Sequence, residues 1–117
     1  MNADTDEFRR ASRHDIPDTV RVVDCMTGTI VGRLGNISET GMLLIASVPL
    51  VDDALYQFRL EIDDGRGQVI EVGAHMLWQD RASAKGQTWM GFRFIKVIDE
   101  YAQPLNDWLR SLATRAA

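Results

Sequence analysis

The sequence predicts an all-β domain closed by one helix: a six-stranded antiparallel β-barrel followed by a C-terminal α-helix. Three observations predict it. Six apolar or alternating runs of strand length follow one another between Thr19 and Val97, separated by turn residues. The hydrophobic spacing becomes helical only at the end, where Tyr101, Leu105, Trp108, Leu109 and Leu112 share one face. Finally, a chain of 117 residues, 45% of them apolar, supports one core. Six strands on so short a chain, with a single helix left over, favour a small barrel over an open sheet.

Residues 1–7 carry Asp4, Asp6 and Glu7 and read as a disordered tail. Residues 8–117 read as one domain, with an arm over 8–15, the barrel over 18–97 and the helix over 99–115. "TVRVVD" opens the barrel, and "GTIVGRL" follows a turn at Thr27–Gly28. "GMLLIA", between Gly41 and Pro49, is an apolar run of strand length. "ALYQFRLEI" sets Leu55, Gln57, Arg59 and Glu61 against Tyr56, Phe58, Leu60 and Ile62. Asp64–Gly65 marks a hairpin turn into "QVIEVGAHMLWQD", whose Gly73 suits a bulge or a barrel bend. "QTWMGFRFIKV" then sets Trp89, Gly91 and Arg93 opposite Met90, Phe92 and Phe94. Pro104 fits near a first helical turn, so a short turn over Asp99–Ala102 should precede the main helix, which runs to about Thr114.

Composition excludes several functions. The lone Cys25 rules out an internal disulfide or a cysteine metal cluster and points to a reducing cytoplasm. No run approaches the roughly 20 apolar residues of a membrane helix, and "MNADTDEF" is no secretory signal. A net charge of −4 argues against long nucleic acids, whereas a small anion needs only a local basic patch. HExxH, CxxC, an EF-hand loop and GxSxG are all missing, so neither a metal, a cofactor nor an enzymatic activity is expected. His75 reads as a surface or satisfied strand histidine, and Cys25 as an idle thiol.

Two stretches remain. "EFRRASRHDI" concentrates Arg9, Arg10, Arg13 and His14 on a segment with no apolar period, and Arg9 and Arg13 form RxxxR. By itself that is a solvated basic segment. "NISETG" sets Asn36 and Ser38 on one side of a strand end, with Ile37 towards the core. Gly41 there suits a close backbone approach or a positive φ. By itself that is a polar turn with a glycine.

The ordered pair, RxxxR followed by [DN]xSxxG, resembles the PilZ domain family of cyclic di-GMP receptors. The matching residues are Arg9 and Arg13, then Asn36, Ser38 and Gly41, and the resemblance runs from Arg9 to about Leu112. "HMLWQD" and "WMGFRF" look like the family's later strands. The family fold, a six-stranded antiparallel barrel with a C-terminal helix, agrees with the reading from periodicity. The resemblance implies a bacterial, cytoplasmic receptor whose ligand is cyclic di-GMP, bound by Arg9, Arg13, Asn36, Ser38 and Gly41; Arg10, beside Arg9, is a further candidate ligand-binding residue. Guanidinium forks match phosphate oxygens and the O6/N7 edge of guanine, and the arm contains no lysine. Trp78 reads equally as an outward platform for a base or as a core residue; His14 reads as incidental.

Asn36 stands where the family often has Asp, so it keeps a carbonyl acceptor without the negative charge, which would tune affinity. The arm lies close to the N-terminus, so output is expected through a separate effector protein. The competing reading is a PilZ-like adaptor that acts by protein contacts without binding nucleotide. A barrel that binds single-stranded nucleic acid would need a basic groove, which Asp52, Asp53, Glu61, Asp63, Asp64 and Glu71 oppose.

Overall fold

The computed structural model describes residues 14–16, 19–63, 66–81 and 86–116. The tail over 1–7, the arm arginines Arg9, Arg10 and Arg13, and the Asp64–Gly65 turn lie outside the described residues. Seven strands and one helix follow in order. They are β1 (His14–Asp15), β2 (Val20–Asp24), β3 (Ile30–Ile37), β4 (Gly41–Ala46), β5 (Leu55–Ile62), β6 (Gln68–Arg81), β7 (Thr88–Val97) and α1 (Asp99–Ala116).

The six expected strands close a ring, β3–β2–β5–β6–β7–β4, through a final β3–β4 pairing, and every pairing is antiparallel. Closure removes the exposed edges of an open sheet. The seventh strand, β1, is only two residues long. It pairs with the end of β3, beyond the point where the β2–β3 pairing stops at Arg21–Arg33. Too short to show a period, it was not expected as a strand.

Alternation fills the barrel. Val20 and Val22 from β2, Phe58, Leu60 and Ile62 from β5, and Met90 and Phe92 from β7 are almost fully buried. Phe58 and Phe92 meet edge to face with centroids 5.1 Å apart, a geometry worth about 0.5–1.5 kcal/mol beyond area burial. Leu105, Trp108, Leu109 and Leu112 of α1 join this same core, so the helical stripe seen in the sequence completes it.

Two glycines follow the sequence closely. Gly28 takes φ 74°, as the turn at Thr27–Gly28 requires, and its N–H bonds the Asp24 carbonyl at 2.8 Å. Gly73 sits at a register shift between β6 and β7. The helix differs from expectation. Asp99–Ala102 is already helical, and α1 runs through Pro104 without a separate turn. Pro104 is the sixth residue of α1, so it removes one i→i−4 hydrogen bond, to the Glu100 carbonyl; core packing through Leu105 and Trp108 outweighs that loss.

Candidate functional site

Ser38 ties the turn between β3 and β4. Its side chain is fully buried. The Oγ accepts the backbone N–H groups of Thr40 and Gly41, each at 3.2 Å, and donates to the Gly41 carbonyl at 3.3 Å. The Ser38 N–H bonds that same carbonyl at 2.9 Å. The expectation that Ser38 points outward beside Asn36 is therefore corrected. β3 ends at Ile37, so alternation stops there, and a hydroxyl at a turn closes on the nearest amides.

Gly41 resolves to the close-approach alternative. A Cβ on it would run into the Phe92 carbonyl oxygen of β7, and it is not among the positive-φ glycines. The turn is also fastened to β7 by the Phe94 N–H, which bonds the Thr40 carbonyl at 2.8 Å.

Two bulges decide where Asn36 and Trp78 face. In β3, Leu34 pairs with Leu44, but Asn36 pairs with Leu43, so Gly35 is an extra residue. In β6, Met76 pairs with Phe92, but Trp78 pairs with Gly91, so Leu77 is extra. Simple alternation would put Asn36 on the side of the buried Leu34 and Trp78 on the side of the buried Met76. Each bulge turns its residue to the outer face instead. Trp78 is 40% exposed, which settles the platform-or-core alternative in favour of the outer wall.

The result is one cross-strand row. Asp15 pairs with Asn36, Asn36 with Leu43, Leu43 with Gly91, and Gly91 with Trp78. Asn36 and Trp78 are thus three strand spacings apart, about 14 Å along the sheet. The indole closes part of that gap, because it occupies the space a side chain on Gly91 would need. The row joins Asn36 and Trp78, 42 positions apart in sequence, which no local pattern reveals. Leu43, between them, was not nominated from "GMLLIA", a run that looks uniformly apolar although Leu43 and Ile45 are only half-buried.

β1 brings the chain immediately after Arg13 to the same place. His14 pairs with Ile37 and Asp15 with Asn36, so the residue following Arg13 lies beside the NISETG strand end. On the other side of the turn, His14 and Glu39 line a cleft of about 430 Å³ with Asn106, Leu109, Arg110 and Ala113 of α1. Motif turn, β1 and helix therefore meet at one end of the barrel.

Across the barrel lies a separate polar cluster on β2, β5 and the first half of β6. Glu61 pairs with Arg21 at 3.3 Å and with Arg59 at 3.1 Å. Glu71 accepts the Tyr101 hydroxyl at 3.3 Å and the Cys25 thiol at 3.9 Å. Desolvation, reinforced by the Glu71 charge, raises the pKa of both the thiol and the phenol. Cys25 is thus held as a thiol, which suits a structural role better than a reactive one. Among the described residues, no group of three or more His, Cys, Asp or Glu side chains is placed to hold a metal. No helix among them is long and apolar enough to cross a membrane.

The sequence model of the PilZ domain matches residues 7–111, most of the chain and both motifs. The chain belongs to the PilZ domain family. Its fold is similar to the PilZ domain of Escherichia coli YcgR solved with c-di-GMP, with a TM-score of 0.68, 19% identity, and 92% of this chain and 93% of that one covered. It is similar to Escherichia coli YcgR in complex with c-di-GMP, with a TM-score of 0.70, 20% identity and 92% of this chain covered. The Bacillus subtilis inhibitor of motility (MotI/DgrA) superposes with a TM-score of 0.69, at 14% identity and 92% coverage of this chain. This PilZ chain spans about half of those last two proteins, 47% of YcgR and 50% of MotI. At these identities the likeness concerns the fold. By sequence, no curated protein matches.

Proposed function

We propose that this PilZ domain is a cytoplasmic cyclic di-GMP receptor that signals, without catalysis, to a separate effector protein. The observation that carries the reading is the pairing of β1, the two residues that follow RxxxR in the sequence, with the strand end that opens the second motif. The chain leaves Arg13 directly into β1, and β1 is paired to the strand end that holds Asn36.

In this reading Arg9, Arg10 and Arg13 form one jaw and the β3–β4–β7–β6 wall the other. The arginine forks take the phosphates of the cyclic dinucleotide, for which their planar bidentate geometry is suited. Asn36 offers an amide that both donates and accepts, so it can bond a guanine edge or a ribose-phosphate oxygen. Trp78 offers an aromatic face on which a base stacks. Ser38 and Gly41 act indirectly: one locks the turn and the other lets β4 close on β7, which holds Asn36 at the rim.

Without ligand, like-charged arginines have no reason to settle on one another. Bound phosphate supplies several charge-assisted hydrogen bonds of roughly 1.5–3 kcal/mol each, which offset the cost of ordering the arm. Because β1 packs against both β3 and α1, ordering the arm alters the surface at the helix end of the barrel, where an effector would read it.

Calorimetric titration tests the reading. The chain is expected to bind cyclic di-GMP, Arg13→Ala to weaken it about tenfold or more, and oligonucleotides to give no comparable heat. Absence of heat with cyclic di-GMP would leave the adaptor that works by protein contacts alone.

A further inference from the structure

Arg93 stands on the same outer wall as Asn36 and Trp78, and neither motif includes it. Met90 and Phe92 of β7 are buried in the barrel, so Gly91 and Arg93 share the outer face, about 7 Å apart. β7 pairs Arg93 with Gly41 on one side and with His75 on the other. Gly41 has no side chain, so the wall between Arg93 and the motif turn is low there. Trp78 lies over Gly91, the next outward position from Arg93. A base resting against that indole therefore brings an edge within reach of a side chain as long as arginine.

Building on the receptor reading above, we propose that Arg93 reads the O6/N7 edge of a guanine stacked on Trp78 and makes the site prefer guanine to adenine. The two acceptors of that edge fit a guanidinium fork, whereas adenine presents an N6 amino donor in place of O6. Phosphates are common to every cyclic dinucleotide, so contacts to phosphate alone do not make this distinction.

The experiment is calorimetric titration of the whole chain, unmodified and as Arg93→Ala and Arg93→Gln, with cyclic di-GMP and cyclic di-AMP. Arg93→Ala is expected to lose about tenfold or more in affinity for the guanine ligand and to keep its affinity for the adenine one. Arg93→Gln is expected to shift the preference towards cyclic di-AMP, since a glutamine amide pairs with adenine N6 and N7. A misfolded variant cannot produce that gain. An unchanged ratio in both variants overturns the role of Arg93 and leaves the receptor reading intact. Failure of the unmodified chain to bind either ligand overturns the receptor reading itself, and this assignment with it.

Discussion

The Trp78 indole fills the place that a side chain on Gly91 would take: a Cβ there would collide with its Cε2 and Nε1 atoms. The indole is the movable partner, because it is 40% exposed while Gly91 belongs to a paired β7 backbone. Gly91→Ala is therefore expected to push the ring off the sheet and shift its indole N–H resonance. Base stacking is worth about 1–3 kcal/mol, so cyclic di-GMP affinity should drop by about tenfold in that variant. A resonance and an affinity that both stay in place would contradict the platform role.

Ser38 and Asn36 should separate stability from binding. Ser38→Ala removes the acceptor of two turn N–H groups, one of them on the buried Gly41. Leaving such groups unsatisfied costs about 1–3 kcal/mol, visible as a lower unfolding midpoint in urea. Asn36→Ala lies on the outer row, and its effect on that midpoint should stay within about 1 kcal/mol while ligand affinity falls. Equal stability losses in the two variants would mean that Asn36 serves the turn as Ser38 does.

The six barrel strands, closure by one helix and the core face of the strands that alternate without a bulge were legible in the sequence, because alternation is a local property. "ALYQFRLEI" shows this: Phe58, Leu60 and Ile62 are buried as its period requires. Of the candidate site, the residue types and the outward Asn36 beside the inward Ile37 were legible, but the cross-strand row was not. Bulges at Gly35 and Leu77 reverse the parity of Asn36 and Trp78, and a bulge is decided by how two strands pair, not by either alone. Ser38 misled for a related reason, since it stands one residue past the strand whose period it was assumed to obey. Pro104 misled because its local cost is small beside the burial of Leu105, Trp108, Leu109 and Leu112.

Gly41→Ala tests whether the motif glycine serves the barrel. The new methyl would meet the Phe92 carbonyl oxygen, a backbone atom that cannot swing away. Separating β4 from β7 should cost about 1–3 kcal/mol and weaken ligand binding as the Asn36 rim moves. Full stability in this variant would show that the glycine is needed only for ligand approach.

The cluster across the barrel predicts an alkaline limit. Burial first, and the Glu71 carboxylate second, raise the Cys25 thiol above its ordinary value of 9.0 and the Tyr101 phenol above 10.0. The folded chain thus holds these protons more tightly than the unfolded chain. Their contribution to stability is complete below pH 9.0 and is lost as pH rises through the raised values. Glu71→Gln removes the charge that opposes ionisation, so its melting temperature should fall less between about pH 8 and about pH 11 than that of the unmodified chain. Parallel pH profiles for the two would remove Glu71 from the explanation.

The central claim is that arm and wall form one site, and an NMR titration of the isotope-labelled chain with cyclic di-GMP tests it most directly. The account predicts that the Arg9, Arg10 and Arg13 side-chain N–H signals, the Asn36 amide and the Trp78 indole N–H all shift with one dissociation constant. Arg93 should move with them. Arm signals that stay unshifted while the wall saturates, or a wall that stays silent while the arm responds, would contradict it.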